Sequence, residues 1–569
     1  MSDVEVAAQL EQLAASHRGS VRLIRPNPDD PAFVIARLGR GDDVEARPAI
    51  LLVAGFDGRM VGATNVAIEV AAGLLAAEGD ALDRSTIYVA PAVIPESLAN
   101  GRIDAGDDAD HDGRIDEDPP ADVNGDGRIL TMRIADPSPL SGLVATHVVD
   151  ADDRRVVRPA GDDEVATHAV MVEGRDADGD GRFAEDGPGG IDLGRHFPAR
   201  WPEFSDGAGR WPLDHGRARA LADWVLATPS LVATIVYDHG ASATATPVTR
   251  GNDVTGRIPL GILGDDEADH KTLVDAYRES TEVDAGERAA RRGGSFDAWS
   301  YGHLGLWSLA TPLWDRPDRM GPLTAPEAPD SGDGEGGTSG GPEDDPAGEM
   351  AGEVAGEMAT NPDEADTERS SKKANAPDSD EAAWLEWTDR MSADADRGAE
   401  SSAPQFTEWT AFDHPQLGPV EIGGFDPRLS IDLPASLVTP MAERQVAFVL
   451  KLVDHLPRVE ILRTERRSLG GGLHEVGVVL RNVGRLPTRS AMGVRARRVP
   501  PIRVHLSDGG DPATIVSGRR LIRIDRLAAD ETRTMTWVVR TDDPGALRVT
   551  VEGPVAGQLD ASLDAANGG

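Results

Sequence analysis

The chain has no cysteine. Disulfide staples, thiolate zinc clusters and thiol nucleophiles are therefore excluded. Lysine is nearly absent: Lys271, Lys372, Lys373 and Lys451 are the only four, and arginine supplies the rest of the positive charge. Positive charge as a whole is scarce, with 57 Lys plus Arg against 98 Asp plus Glu and a formal net charge of -41. A surface of that sign opposes general binding to nucleic acid or anionic membrane, because both require phosphates to be neutralised. No apolar run approaches the roughly 18 residues of a membrane span. The first twenty residues are acidic and periodic, without the basic start and apolar stretch of a secretion signal. That predicts a cytoplasmic chain.

What is present divides along the sequence. Val4, Ala7, Leu10 and Leu13 recur at helical spacing. Residues 49–55, 85–91 and 231–237 are nearly continuous apolar runs, the pattern of strands covered on both faces. Helical stripes over 62–77 and 218–226 alternate with them, which predicts an α/β sheet between helices. From about 320 to 380 acidic residues, Gly, Pro and Ser dominate, and Ala-Gly-Glu triplets repeat from Ala347 to Glu357. Such a segment buries too little apolar surface to offset its ordering entropy and is expected to be disordered. A further helix is expected over 440–455. After Pro457, partly alternating segments at 475–482, 502–506, 532–539 and 547–551 predict an all-β sandwich of immunoglobulin size. The expected division is 1–318 and 381–456 for one α/β unit, 319–380 for an acidic insertion, and 457–569 for the sandwich.

Three segments share one spacing of oxygen-bearing residues. The first carries Asp108, Asp110, Asp112 and Asp116, the second Asp122, Asn124 and Asp126, and the third Asp176, Asp178 and Asp180. Each has Gly at the sixth loop position (Gly113, Gly127, Gly181) and an apolar residue at the eighth. Calcium takes six to eight hard oxygens, and that Gly makes the sharp turn by which they converge. The bidentate Glu usual at position twelve is replaced by Pro119, Arg133 and Gly187. Structural calcium is expected in at least one loop.

The strand-to-helix segment from Gly55 to Gly62 resembles the zinc-site segment of the metallocarboxypeptidase family, carboxypeptidase A/B-like, where the pattern is H-x-x-E. Other pieces follow in the family's order. Val89 to Glu96 is similar to a strand ending in a Pro-rich turn, and Ile191 to Pro198 to a substrate loop. Ile235 to Gly240 is similar to the strand carrying the third metal ligand. Gly294 to Tyr301 and Ala310 to Trp314 resemble the approach to the strand of the catalytic Glu, and Val420 to Phe425 continues the match. The resemblance implies a three-layer α/β/α carboxypeptidase-like mixed sheet, zinc chemistry and peptide substrates.

Carried over position by position, that chemistry is mostly missing. The ligand positions hold Asp57, Met60 and His239, and the general-base position holds Pro312. A thioether is a poor zinc ligand, and a pyrrolidine ring accepts no proton. The substrate loop keeps Arg195 beside His196; both are expected to bind substrate, Arg195 by pairing with a carboxylate. The expected protein is therefore a degenerate relative. It would bind a peptide, a carboxylate or a glycan fragment in a remnant cleft, carry structural calcium and have lost its zinc. Two readings stay open beside it. One is an active zinc carboxypeptidase or amidase with a rearranged site, built from His239 with Asp57 or Asp238. The other is a structural or adhesive surface protein. Family resemblance and calcium-type loops imply a location outside the cytoplasm, against the missing signal. No oligomeric state follows from the sequence.

Overall fold

The structure is a computed structural model. It describes residues 3–94, 118, 120–138, 142–161, 163–177, 179, 181, 183–184, 193–203, 205, 208–249, 251–283, 293–315, 320, 380–395, 406–426, 429 and 431–563. Apart from Met320 and Asp380, the segment expected to be disordered lies outside these residues.

The chain opens with helix α1 (Asp3–Ser16), strands β1 (Val21–Ile24), β2 (Ile35–Leu38) and β3 (Ala49–Val53), helix α2 (Val61–Ala76), the single turn α3 (Ala81–Arg84) and β4 (Thr86–Ala90). Short strands β5 (Thr131–Ala135), β6 (His147–Val149), β7 (Val157–Pro159) and β8 (His168–Val172) come next. Then follow α4 (Gly216–Ala227), β9 (Leu231–Tyr237), α5 (Glu267–Thr281), α6 (Phe296–Leu304) and β10 (Trp307–Thr311). Beyond the acidic segment lie α7 (Asp380–Ala395), β11 (Thr407–His414), β12 (Gly418–Gly424) and α8 (Val438–His455).

The first sheet runs β1-β2-β4-β3-β9-β10. β3 is parallel to β4 and β9, and β9 to β10, while β1–β2 and β2–β4 are antiparallel. Every residue of β3 is buried, because helices cover both faces. Ile50 and Leu52 point into a cluster shared with α2, α5 and α8. Ala49, Leu51 and Val53 point into another, shared with α4 and α6. This period-two division is the reason the strand reads as one apolar run. Truncating a residue such as Leu52 to Ala would cost about 2–5 kcal/mol. α8 lies tightly on α2: a Cβ on Gly73 would be 2.7 Å from Val446 Cγ2.

A second six-stranded sheet, β11-β12-β5-β8-β6-β7, was not expected from the sequence. β12 from beyond the acidic segment pairs with β5 from before it, and Arg133 Nε meets Glu421 Oε2 across that pair at 2.8 Å. Helix α7 returns to the first core in the same way, with Trp387 against Trp314 at 5.6 Å between ring centroids.

The C-terminal part comprises β13 (Val459–Gly470), β14 (Leu473–Asn482), the short helix α9 (Ala491–Ala496), β15 (Ile502–Asp508), β16 (Asp511–Pro512), β17 (Thr514–Ser517), β18 (Ile522–Ile524), β19 (Thr532–Arg540), β20 (Leu547–Gly553) and β21 (Gly557–Ser562). They form antiparallel sheets ordered β13-β14-β19-β17 and β16-β15-β20-β21, with β18 paired to β15. One apolar cluster joins them, with Val476, Val478 and Trp537 from the first sheet and Val504, Val549 and Val551 from the second. This part is anchored to the α/β unit through α9. The buried Asp266 carboxylate accepts the N–H groups of Ala491 at 2.6 Å and Met492 at 3.0 Å, and the Tyr301 hydroxyl donates to it at 2.9 Å.

Candidate functional site

β4 lies on one side of β3 and β9 on the other, so the chain reverses direction across the sheet between β3 and β9. In open α/β sheets, ligands bind outside the carboxyl ends of the strands at such a point. The residues that follow β3 and β9 there are Asp57 and His239.

Asp57 is placed by a tight turn. Gly55 has φ +70°, and a Cβ there would lie 2.9 Å from the Pro91 carbonyl oxygen, so a side chain is excluded. The Ile94 N–H donates to the Gly55 carbonyl at 2.7 Å and closes the turn. Beneath it is an aromatic floor. Phe56 packs edge-on to Phe197 at 5.9 Å and tilted to Phe296 at 5.6 Å, and Phe197 meets Phe296 at 4.9 Å.

The Asp57 carboxylate is buried and fully engaged. Oδ1 accepts the backbone N–H of Arg59 at 2.9 Å and Arg59 Nε at 2.9 Å. Oδ2 accepts Arg59 Nη2 at 2.6 Å and meets His239 Nε2 at 2.8 Å. A carboxylate offers about four lone-pair positions, and all are used. Burial pushes this carboxyl up. The hydrogen bonds from His239 and Arg59, with their charges, outweigh burial and hold it well below the usual carboxylate range.

The expected zinc remnant is thus brought together in part, and it does not fit zinc. Asp57 and His239 meet, yet each Asp57 oxygen already carries two donors, and a guanidinium provides positive charge beside the carboxylate. Met60 is 2 % exposed and belongs to the apolar cluster at the start of α2. Pro312 directly follows β10 and is half-buried. Among the described residues no group of three or more His, Asp or Glu is gathered as a metal-holding cluster. Asp238, beside His239, is 4 % exposed, and its Oδ1 has no hydrogen-bond partner among the described residues.

Arg195 ends a short 3-10 turn, Leu193–Arg195, and is half-buried. His196 is fully buried; a Cβ on Gly209 would lie 2.7 Å from its Cε1. Phe197 joins this turn to the aromatic floor beneath Asp57. Arg59 was missed in the sequence, whereas Asp238 was named there as an alternative partner of His239. The signal for Arg59 was the Asp-Gly-Arg spacing, in which Asp57 accepts the N–H two residues on and meets the guanidinium of the same residue.

Of the calcium-type loops, Asp108, Asp110, Asp112 and Asp116 lie outside the described residues, as do Asp178 and Asp180. The second loop is described in full. Asp122 Oδ1 accepts the N–H groups of Gly125 at 2.7 Å and Asp126 at 3.2 Å, and Oδ2 that of Gly127 at 2.8 Å. Asp176 repeats the pattern, accepting from Gly179 at 2.6 Å and Gly181 at 3.1 Å. Gly125, Gly127, Gly179 and Gly181 all have positive φ, between +77° and +93°. Buried Glu173 braces the second loop, accepting from Val123 at 2.8 Å and Leu130 at 3.0 Å.

Residues 458–564 match a family described as "Domain of unknown function (DUF8731)". Comparison with curated proteins gives no match. Solved structures similar to this chain include carboxypeptidases. With thrombin activatable fibrinolysis inhibitor (TAFI) the identity is 13 %, over 55 % of this chain and 65 % of that one, at a TM-score of 0.30. With carboxypeptidase A from Helicoverpa armigera it is 11 %, over 55 % and 63 %, at a TM-score of 0.32. The match spans just under two thirds of the length of each.

Proposed function

We propose that this protein is a carboxypeptidase-like binding protein without zinc-peptidase activity, whose cleft holds a peptide C-terminus or another carboxylate, or a glycan fragment. The observation carrying this reading is the saturation of Asp57 by Arg59 and His239. A zinc ion there would have to displace a bidentate guanidinium, and a catalytic zinc site wants three good ligands with a fourth position open. Pro312 supplies no general base. Arg195, joined to the Asp57 turn through Phe197, is the group proposed to pair with a ligand carboxylate, and the adjacent His196 is fully buried. Titration calorimetry with a mixture of short peptides tests this: binding heat that falls in Arg195→Ala is expected. No heat, or an unchanged affinity in that variant, would remove the reading.

The Asp57–His239 pair favours a second reading, an active hydrolase. A carboxylate-oriented imidazole is the arrangement of a general base. Release of C-terminal residues from peptides, abolished in His239→Ala, would support it in place of the first.

Two structural parts belong to the same proposal. The α/β unit is read as 1–318 completed by 381–456 around the insertion 319–380, supported by the β5–β12 pairing and the packing of α8 on α2. Residues 457–569 are read as an immunoglobulin-like sandwich, supported by the apolar cluster common to both C-terminal sheets. Calcium is proposed at the second and third loops, supported by their shared hydrogen-bond pattern. Asp122, Asn124 and Asp126 would supply oxygens in the second, and the ion would fix the loop rather than take part in chemistry.

A further inference from the structure

A cavity of about 490 Å³ opens where the end of α8 meets the C-terminal sheets. Small-molecule sites are typically roughly 300–1,000 Å³ and concentrate at such junctions. Arg47, Arg84, Arg458, Arg485, Asp43 and Asp454 are the charged residues of its wall. Both aspartates are already neutralised. Arg47 Nε donates to Asp43 at 3.1 Å, and Arg84 Nη2 to Asp454 at 2.7 Å. Arg458 has only a solvent-facing pair with Glu460 at 3.2 Å, both side chains about half exposed. Arg485 is exposed, and its guanidinium has no hydrogen-bond or ion-pair partner among the described residues. Arg84 is also shared with Asp80, outside the wall, at 2.8 Å, so Arg485 is the guanidinium left unpaired among the described residues, with Arg458 held only by its exposed pair.

The turns bearing Arg458 and Arg485 are pinned by one side chain. Asn482 is fully buried. Its Oδ1 accepts the N–H groups of Arg458 at 3.0 Å and Gly484 at 3.1 Å, and its Nδ2 donates to the carbonyls of Leu486 at 2.8 Å and Ala528 at 3.0 Å. Gly484 abuts the chain before Arg458 so closely that a Cβ would lie 2.2 Å from the Leu456 carbonyl oxygen. Both arginines thus leave backbone that is fixed before a ligand arrives, which lowers the ordering cost of binding.

We propose that this cavity binds a small multivalent anion bearing phosphate or carboxylate groups, held by Arg458 and Arg485. Guanidinium forks match both groups in bidentate geometry, and a monatomic anion cannot use that geometry. Titration calorimetry on the full chain, with inorganic phosphate and separately with citrate at constant ionic strength, tests this. Heat with either probe supports the site, and which probe binds distinguishes phosphate from carboxylate chemistry. Arg485→Ala and Arg458→Ala are each expected to weaken binding roughly tenfold or more. Arg485 makes no bond among the described residues, so its removal leaves the melting temperature unchanged. Arg523→Ala, at an exposed position outside the cavity, leaves binding unchanged. The proposal is overturned by no heat with either probe at millimolar concentration, by equal competition from chloride, or by an equal loss in Arg523→Ala.

Discussion

His239 Nε2 lies 2.8 Å from Asp57 Oδ2, although 182 residues separate them in the chain. The contact joins the carboxyl ends of two neighbouring parallel strands, and Arg59 completes it from the other side of the carboxylate. The result is a buried carboxylate whose charge is answered by two partly exposed partners without an added ion.

Removing one partner from such a cluster leaves a buried charge uncompensated. Arg59→Met, which takes the guanidinium from the buried Asp57 carboxylate, is expected to destabilise the protein by about 3 kcal/mol, and Asp57→Asn, which orphans a partly exposed Arg59, by less. The double variant should cost less than the sum of the two, because the penalty in each single variant is the orphaned partner. Urea unfolding of the four proteins measures this; strict additivity would show that the contact carries no coupling.

The same carboxyl sets an acid dependence. Its folded value is depressed, so its contribution is fully present above the unfolded value, about 4, and is lost as pH falls through the folded one. The stability gap between wild type and Asp57→Asn should therefore narrow progressively as pH falls below about 4. A gap that widens on acidification would contradict the assignment.

Calcium should raise the unfolding midpoint if the second loop holds it. At a hundredfold excess over Kd the gain is about 2.7 kcal/mol. The gain should be smaller in Asp126→Ala, which removes a proposed oxygen but keeps the Asp122 turn. Identical melting curves with calcium and with chelator would remove calcium from the account.

Gly305 and Gly493 hold the α/β unit and the C-terminal part together at backbone distance. Gly305 has φ +73°, and a Cβ there would lie 2.1 Å from Gly493 Cα. Gly305→Ala combines left-handed strain with a clash that no rotamer relieves, and a loss of at least about 2 kcal/mol is expected. Thermal unfolding at wild-type levels would show that this contact yields freely.

The parts of the fold that were legible share a physical cause. β3, β4 and β9 are covered on both faces, so their sequences are continuous apolar runs, and β14 alternates because one face is buried. β13 was hidden because it is an edge strand whose residues are mostly solvent-facing, with Arg463, Glu465, Arg466 and Arg467 in its middle. The second sheet was hidden because several of its strands are short, as in β6, and its long edge strand β11 is mostly exposed or half-buried. At the site, Asp57 and His239 were found because the segments that carry them, each after a buried strand, resemble metal-ligand segments of the metallocarboxypeptidases. Arg59 was not, because its role depends on a turn that folds it back onto a neighbour two residues away.

The most direct test of the central claim is zinc content by plasma mass spectrometry on protein purified without chelator, measured together with release of C-terminal residues from mixed peptides. A carboxylate saturated by Arg59 and His239 predicts far less than one zinc per chain and no release. One zinc per chain, lost in His239→Ala together with peptide hydrolysis, would contradict it.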